Sequence, residues 1–146
     1  MDYIVEIRGD EKNLEITWDL IHFLALQHGM AEIDADVYAV AVGEAYSNGI
    51  QYSPGHSCKL VLKFNPEKFM ALVINNGQPV DFKNIEAFDC EQDFMQYKNG
   101  KLGIPMIKKL VDKVNYSYEN GENKLKLVKF IKNININSKG EHDENY

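Results

Sequence analysis

Two pairs of β-like runs, each joined by a short turn, constrain the fold of this chain more than any other feature. The first pair comprises residues 58–64 and 69–74, which a segment rich in turn-forming residues connects. The second pair comprises residues 115–118 and 124–130, and the segment between them contains the Asn-Gly signal of a tight hairpin. Because connections this short join antiparallel strands, the sequence predicts two antiparallel hairpins.

The rest of the chain predicts one further strand and three helices. Residues 3–8 alternate and are rich in β-forming side chains, which is typical of a strand. Helices are predicted over residues 13–28, 34–52 and 100–114, from apolar spacing and from composition. Residues 82–99 show weak periodicity and are interpreted as a loop.

The resulting order, β-α-α-β-β-loop-α-β-β, predicts an α+β two-layer sandwich. In this architecture a mixed, mostly antiparallel sheet carries the helices on one face. The length of 146 residues suits a single domain, which we assign to residues 1–133. Residues 134–146 are rich in Asn, Lys, Glu and Gly, and we predict a disordered tail there.

Composition limits the partners and the compartment of the chain. The net charge of −6 argues against a general nucleic-acid binder, because neutralising phosphates needs a basic surface. No apolar run approaches the length of a membrane span, and the first residues lack the pattern of a secretory signal. We therefore expect a cytoplasmic protein in which Cys58 and Cys90 are free thiols.

Glu44 and Asn48 form the first candidate site. They are four residues apart on the second predicted helix, which places both side chains on one face. A carboxylate beside an amide can orient a hydroxyl group and help to hold a hydrated Mg²⁺ ion. For the pair taken alone, a solvated polar face without a function is the commoner interpretation.

Three glycines give this pair more weight. Gly77 follows a predicted strand, where the lack of a side chain allows a flat ligand to approach the backbone. Gly100 and Gly103 precede the third predicted helix, whose first N–H groups would form a phosphate site. Lys98 and Lys101 flank this site and would add positive charge. The GxxxxGK[ST] phosphate-binding motif is absent from the sequence.

These segments carry a resemblance to a known family. Residues 34–52 resemble the N box of the GHKL, or Bergerat-fold, ATPases, and residues 75–79 occupy the place of the first glycine box. Residues 100–107 resemble the second glycine box. The order and spacing of the three segments are most similar to those of the anti-sigma-factor serine kinases, and the resemblance covers about residues 3–131.

The resemblance implies a site for ATP and Mg²⁺. Asn48 would coordinate the Mg²⁺ ion that bridges the ATP phosphates, and Glu44 would act as the general base. Asn75 would take the position of the family's adenine-reading Asp, with its carbonyl group as a neutral acceptor, and Gly77 would let the ring lie close. Residues 81–99 would form a lid over the nucleotide.

The phosphate end of this implied site lies in the second glycine box. The stretch Gly100-Lys101-Leu102-Gly103 would cradle phosphate with its backbone N–H groups, and Lys98 would add charge nearby. Tyr46 and Tyr52 are the aromatic candidates for stacking on adenine, although core packing is the favoured interpretation of both.

The resemblance also implies partners and an activity. The chain would sequester a sigma factor, phosphorylate a serine of an anti-sigma-factor antagonist protein, and form a homodimer. Two residues depart from the family's pattern, since Asn75 replaces an Asp and Pro79 replaces a glycine. The alternative is therefore a degenerate, non-catalytic protein-binding module of the same fold. A third interpretation is a regulatory domain that works without a nucleotide.

Overall fold

A five-stranded antiparallel sheet forms one layer of the protein. The computed structural model describes residues 3–9, 11–79 and 104–131. The strands are β1 (Tyr3–Gly9), β2 (Cys58–Phe64), β3 (Lys68–Asn75), β4 (Lys113–Glu119) and β5 (Glu122–Phe130). Their spatial order is β1-β2-β3-β5-β4, and every pair of neighbours among these strands is antiparallel.

Helices form the second layer. A 3₁₀ turn at Glu11–Asn13 leads into α1 (Leu14–Gln27), which is followed by α2 (Glu32–Gln51) and, later in the chain, by α3 (Ile104–Leu110). Helix α2 contacts β2, β3 and β5 on one side and also packs against α1 and α3. The predicted α+β sandwich is therefore confirmed. No helix in the described ranges is both long and apolar enough to cross a membrane.

The alternation of side chains along β2 explains which face of the sheet meets the helices. Cys58, Leu60, Leu62 and Phe64 are buried, whereas the residues between them are partly or fully exposed. These side chains belong to one core cluster with buried residues of α1, α2 and α3. The period of two in the sequence thus directs one face of each strand into the core.

Tyr38 joins α2 to the middle of the sheet. Its side chain is fully buried and its ring lies 5.2 Å from that of Phe69 on β3. The hydroxyl group donates a hydrogen bond of 2.8 Å to the Leu127 carbonyl on β5. Burial raises the pKa of this phenol well above its ordinary value, so the hydroxyl group stays a donor.

The second predicted hairpin is confirmed, and its turn has the expected geometry. Asn120 and Gly121 lie at φ values of 53° and 77°, between β4 and β5. Positive φ at both central residues is typical of a type I′ turn, whose twist matches that of paired strands. The Asn-Gly signal therefore fixes the register of β4 against β5.

The prediction of a helix up to residue 114 is wrong. Helix α3 ends at Leu110, and β4 begins at Lys113. The backbone N–H of Asp112 donates to the Val128 carbonyl at 2.9 Å, and the Asp112 carboxylate accepts from the Phe130 N–H at 2.7 Å. These contacts with β5 replace the hydrogen bonds of a continuing helix. The predicted helix start, the loop over 82–99 and the tail over 134–146 lie outside the described residues.

Candidate functional site

A cavity of about 280 Å³ lies between α2, α3 and the β3–β5–β4 part of the sheet. Its apolar walls come from the core side of the two layers, and its polar groups are mainly side-chain amides. The described residues that line it are Ala45, Asn48, Gly49, Tyr52, Val73, Asn75, Gln78, Ile107, Tyr116, Asn123 and Leu125. A concave, mostly apolar pocket with a few fixed polar groups is typical of a small-molecule site.

Asn75 lies at the end of β3, on the polar side of the cavity. Its Oδ1 atom accepts a hydrogen bond of 2.9 Å from the Gly77 N–H and one of 3.2 Å from Asn123 Nδ2. Because a backbone N–H can only donate, the atom that faces Gly77 must be the oxygen. The resemblance implies that the Asn75 carbonyl binds the ligand, whereas in the structure this oxygen accepts hydrogen bonds from two protein donors.

Asn123 holds this polar wall together. The residue is buried, with 4 % exposed, and its Nδ2 atom also contacts the carbonyls of Gln78 at 2.9 Å and Gly77 at 3.2 Å. Because Nδ2 has two protons and three acceptors, one proton is shared between two of them. The Oδ1 atom of Asn123 accepts a hydrogen bond from the Tyr116 hydroxyl on β4. One amide therefore ties β4 and β5 to the loop after β3.

Asn123 is a residue of the site that is absent from the sequence-based candidates. The available signal was its place in the alternating pattern of β5, in register with the inward-facing Leu125 and Leu127. A polar residue on a core-facing position needs buried partners, and this requirement marks it as a candidate. The predicted strand begins at Lys124, so Asn123 falls in the turn segment and outside the alternating pattern.

Gly77 lies against the end of α2, where a side chain has no room. A Cβ on Gly77 would lie 2.5 Å from the Tyr52 carbonyl oxygen, which is far inside van der Waals contact. The same loop is held to α2 by the buried Ser53 hydroxyl, which donates to Asn76 Oδ1 at 3.1 Å. This close contact is with α2, so the expected approach of a flat ligand to Gly77 stays a prediction.

Gly49 allows α2 to approach the sheet behind the cavity. A Cβ at this position would lie 2.7 Å from Cys58 Sγ and 3.2 Å from Val73 Cγ1. The first of these distances is shorter than real Cβ contacts, so a larger residue would push the helix and sheet apart. The absence of a side chain at Gly49 therefore allows α2 to lie close to β2 and β3 where the helix borders the cavity.

We expect Gly49→Val to lower the free energy of unfolding by about 2 kcal/mol, because overpacked cores must shift their backbone. Urea unfolding followed by circular dichroism measures the change. Gly55→Val is the matched control, since a Cβ there would meet only Ser57 Oγ, at 3.7 Å, among the residues that the structure describes. Equal stability of the two variants would contradict the tight packing at Gly49.

Of the predicted pair on α2, Asn48 lines the cavity and Glu44 lies beside it. Both residues are half-buried, and Glu44 lies one turn earlier and is not among the cavity-lining residues of the described ranges.

The two aromatic candidates on α2 have different environments. Tyr46 is fully buried, as the prediction of core packing requires. The same prediction is wrong for Tyr52, which is 64 % exposed and lines the cavity. It lies at the helix end, beyond the buried stripe of α2.

The predicted phosphate-binding residues lie outside the described part of the chain. They are Lys98, Gly100, Lys101, Leu102 and Gly103. Their roles stay predictions. Helix α3, which begins directly after them, contributes Ile107 to the cavity wall. The chain therefore reaches the cavity within four residues of Gly103.

Cys58 lies behind the cavity wall as a free thiol. It is buried, and its Sγ atom donates to the Ile74 carbonyl at 3.3 Å. Burial raises the pKa of the thiol from 9.0 to about 12.

Within residues 3–9, 11–79 and 104–131, no three His, Cys, Asp or Glu side chains are placed to hold a metal ion. Cys90 lies outside these ranges.

The raised pKa of Cys58 predicts a loss of stability in alkali. Between pH 9 and 12 the unfolded chain releases this proton while the folded chain keeps it, so the free energy of unfolding falls as pH rises. The contribution is at most about 1.4 kcal/mol per pH unit. Urea unfolding at pH 8, 9 and 10 should show a smaller decline for Cys58→Ala than for the natural chain. Parallel declines would contradict the raised pKa.

Comparison with known proteins identifies the family of this fold. A search of curated proteins finds no match to the chain. The family model described as the histidine kinase-like ATPase domain matches residues 11–129, a span that runs from the turn before α1 to the residue before the last one of β5. The predicted relation to the GHKL-type ATPases is thereby confirmed at the level of the family. The chain belongs to the histidine kinase-like ATPase domain family.

Proposed function

We propose that the cavity binds a purine nucleoside triphosphate with Mg²⁺, and that the protein transfers the terminal phosphoryl group to a serine of a partner protein. The observation that carries the proposal is the cavity between α2 and β3, lined by Asn48 and Asn75, in a chain of the histidine kinase-like ATPase family. ATP is the nucleotide that the resemblance implies.

The shape of the cavity supports binding of a flat ring. Gly49 lines the cavity and has no side chain, so the helical wall presents backbone to a ligand at this position. Val73 and Leu125 supply apolar surface on the sheet side. A purine ring buries apolar faces and presents polar edges, which matches apolar walls bordered by amides.

The end of the proposed site that would bind Mg²⁺ and the phosphates lies at α2. The Asn48 side-chain oxygen is a hard ligand of the kind that Mg²⁺ prefers, and it lines the cavity. The bound metal and triphosphate would supply the phosphoryl group and the neutralising charge. Glu44, one turn along the helix, is the carboxylate that we assign as general base for the serine hydroxyl.

We further propose that the partner is an anti-sigma-factor antagonist and that the protein also sequesters a sigma factor as a homodimer. The order of the N box and the glycine boxes supports this choice. Large apolar side chains on β1, α1 and α2 are exposed and offer a surface for protein contacts: Ile4, Ile16, Phe23 and Ile33.

Two experiments test the proposal. Isothermal titration of the full chain with purine nucleotides and Mg²⁺ should show binding, and no binding at millimolar nucleotide would refute the first part. Incubation with a γ-labelled nucleoside triphosphate and the antagonist encoded beside the gene should yield phosphoserine on the antagonist. The Asn48→Ala variant should lose Mg²⁺-dependent binding but retain its fold.

A second candidate is a non-catalytic protein-binding module of the same fold. Two observations favour it. Pro79 has no N–H to donate in the loop beside the cavity. The Asn75 carbonyl already accepts two hydrogen bonds from the protein. Such a module would bind its partners without transferring phosphate. Partner binding that is unaffected by nucleotide and by Glu44→Gln would favour it.

A further inference from the structure

The polar wall of the cavity offers a donor where an adenine-specific site needs an acceptor. An amide oxygen has two lone pairs, and those of Asn75 already receive the Gly77 N–H and Asn123 Nδ2. The Asn75 group that stays available is therefore its Nδ2 amine. This atom lies 3.5 Å from the position of a Cβ on Gly49, which is itself part of the cavity wall.

The surrounding groups hold the amide of Asn75 in this orientation. If its oxygen and nitrogen exchanged places, the Nδ2 amine would face the Gly77 N–H and Asn123 Nδ2, and both hydrogen bonds would be lost. The amide of Asn123 cannot reverse to compensate, because its Nδ2 also donates to the carbonyls of Gly77 and Gln78. The Gly77 N–H and the two Asn123 Nδ2 protons, which three acceptors share, thus select one orientation of the Asn75 amide.

We propose that the cavity prefers a purine with an oxygen at C6, such as hypoxanthine or guanine, over adenine. The proposal rests on the proposed function, that is, on a purine nucleotide in this cavity. With the base placed as the resemblance implies, so that its C6 group faces Asn75, the C6 amine of adenine is a donor opposite the Asn75 Nδ2 donor, and one buried donor stays unsatisfied. A C6 oxygen accepts from the same amine and forms a hydrogen bond.

The substitution Asn75→Asp isolates this effect, because aspartate has nearly the same shape as asparagine. One carboxylate oxygen keeps the contacts with Gly77 and Asn123, and the other presents an acceptor to the base. This variant should therefore prefer adenine. Asn76→Asp is the matched control, because the substitution adds the same charge next to Asn75. Asn76 is exposed and is not among the described residues that line the cavity.

The experiment is isothermal titration of the full chain with IDP, GDP and ADP in the presence of Mg²⁺. IDP and ADP form the closest pair, since they differ only in the C6 group and the adjoining N1 proton. We expect the natural chain and Asn76→Asp to bind IDP about ten-fold more tightly than ADP, and Asn75→Asp to reverse this order.

Each other outcome overturns a defined part of the argument. Equal or tighter binding of ADP by the natural chain overturns the preference and leaves nucleotide binding in place. An unchanged ratio of IDP to ADP affinity in a folded Asn75→Asp variant overturns the role of Asn75. If Asn75→Asp does not fold, the ratio in the natural chain decides the preference. Absence of binding by all three nucleotides overturns both the preference and the proposed function.

Discussion

Replacing Glu44 by glutamine is expected to lower the rate of phosphoryl transfer by about 100-fold or more, while nucleotide affinity changes by less than about two-fold. Glutamine keeps the size and the polarity of the side chain but cannot accept the proton of a serine hydroxyl. The measurement is single-turnover transfer of labelled phosphate to the antagonist, with the nucleoside triphosphate that binds more tightly. Titration with the matching diphosphate reports affinity.

Glu32→Gln is the control for this experiment. Glu32 lies in the first turn of the same helix, is exposed, and loses the same charge when it is substituted. Its transfer rate should equal that of the natural chain. If Glu44→Gln transfers phosphate as fast as the control, Glu44 is not the general base. If the natural chain itself transfers none, the non-catalytic module is the better description.

Asn123→Asp is expected to lower the free energy of unfolding by about 3 kcal/mol, because it buries a carboxylate without the donors of the amide. The carbonyls of Gly77 and Gln78 would then face a negative oxygen in place of an N–H group. Urea unfolding followed by circular dichroism measures the loss, and nucleotide binding should weaken with it.

The effect of Asn123→Asp should depend on pH in a defined direction. Burial raises the pKa of a carboxyl group, so the penalty is largest at neutral pH and shrinks as pH falls toward about 4, where the unfolded chain also protonates. Asn115→Asp is the control on the neighbouring strand, because Asn115 is exposed. A loss of stability in the control as large as that in Asn123→Asp would contradict the buried network.

Local sequence signals predict much of this fold. The strand over residues 58–64 is predicted with the bounds that β2 has, and the Asn120-Gly121 signal predicts the hairpin between β4 and β5. These features depend on residues close together in the chain. The end of α3 was predicted wrongly, since it depends on the contacts of Asp112 with Val128 and Phe130 in a later strand.

The candidate site is predictable only in part, for the same physical reason. Asn48 is singled out by its helical spacing and Asn75 by the family resemblance, and both line the cavity. The hydrogen bonds of Asn123 connect residues 45 to 48 positions apart, which no local pattern reveals. The direction of the Asn75 amide depends on those bonds, so the sequence predicts an acceptor where the structure presents a donor.

The Asn120-Gly121 turn has a consequence for how the length of this chain can vary. Asn123 follows the turn by two residues, and successive residues of a strand point to opposite faces of the sheet. A residue added between Gly121 and Glu122, with a two-residue turn and both strands still paired, would exchange the faces of β5 and bring Glu122 into the place of Asn123. Substitutions in the turn keep this register, whereas a change in the number of residues before β5 alters which side chain reaches the cavity.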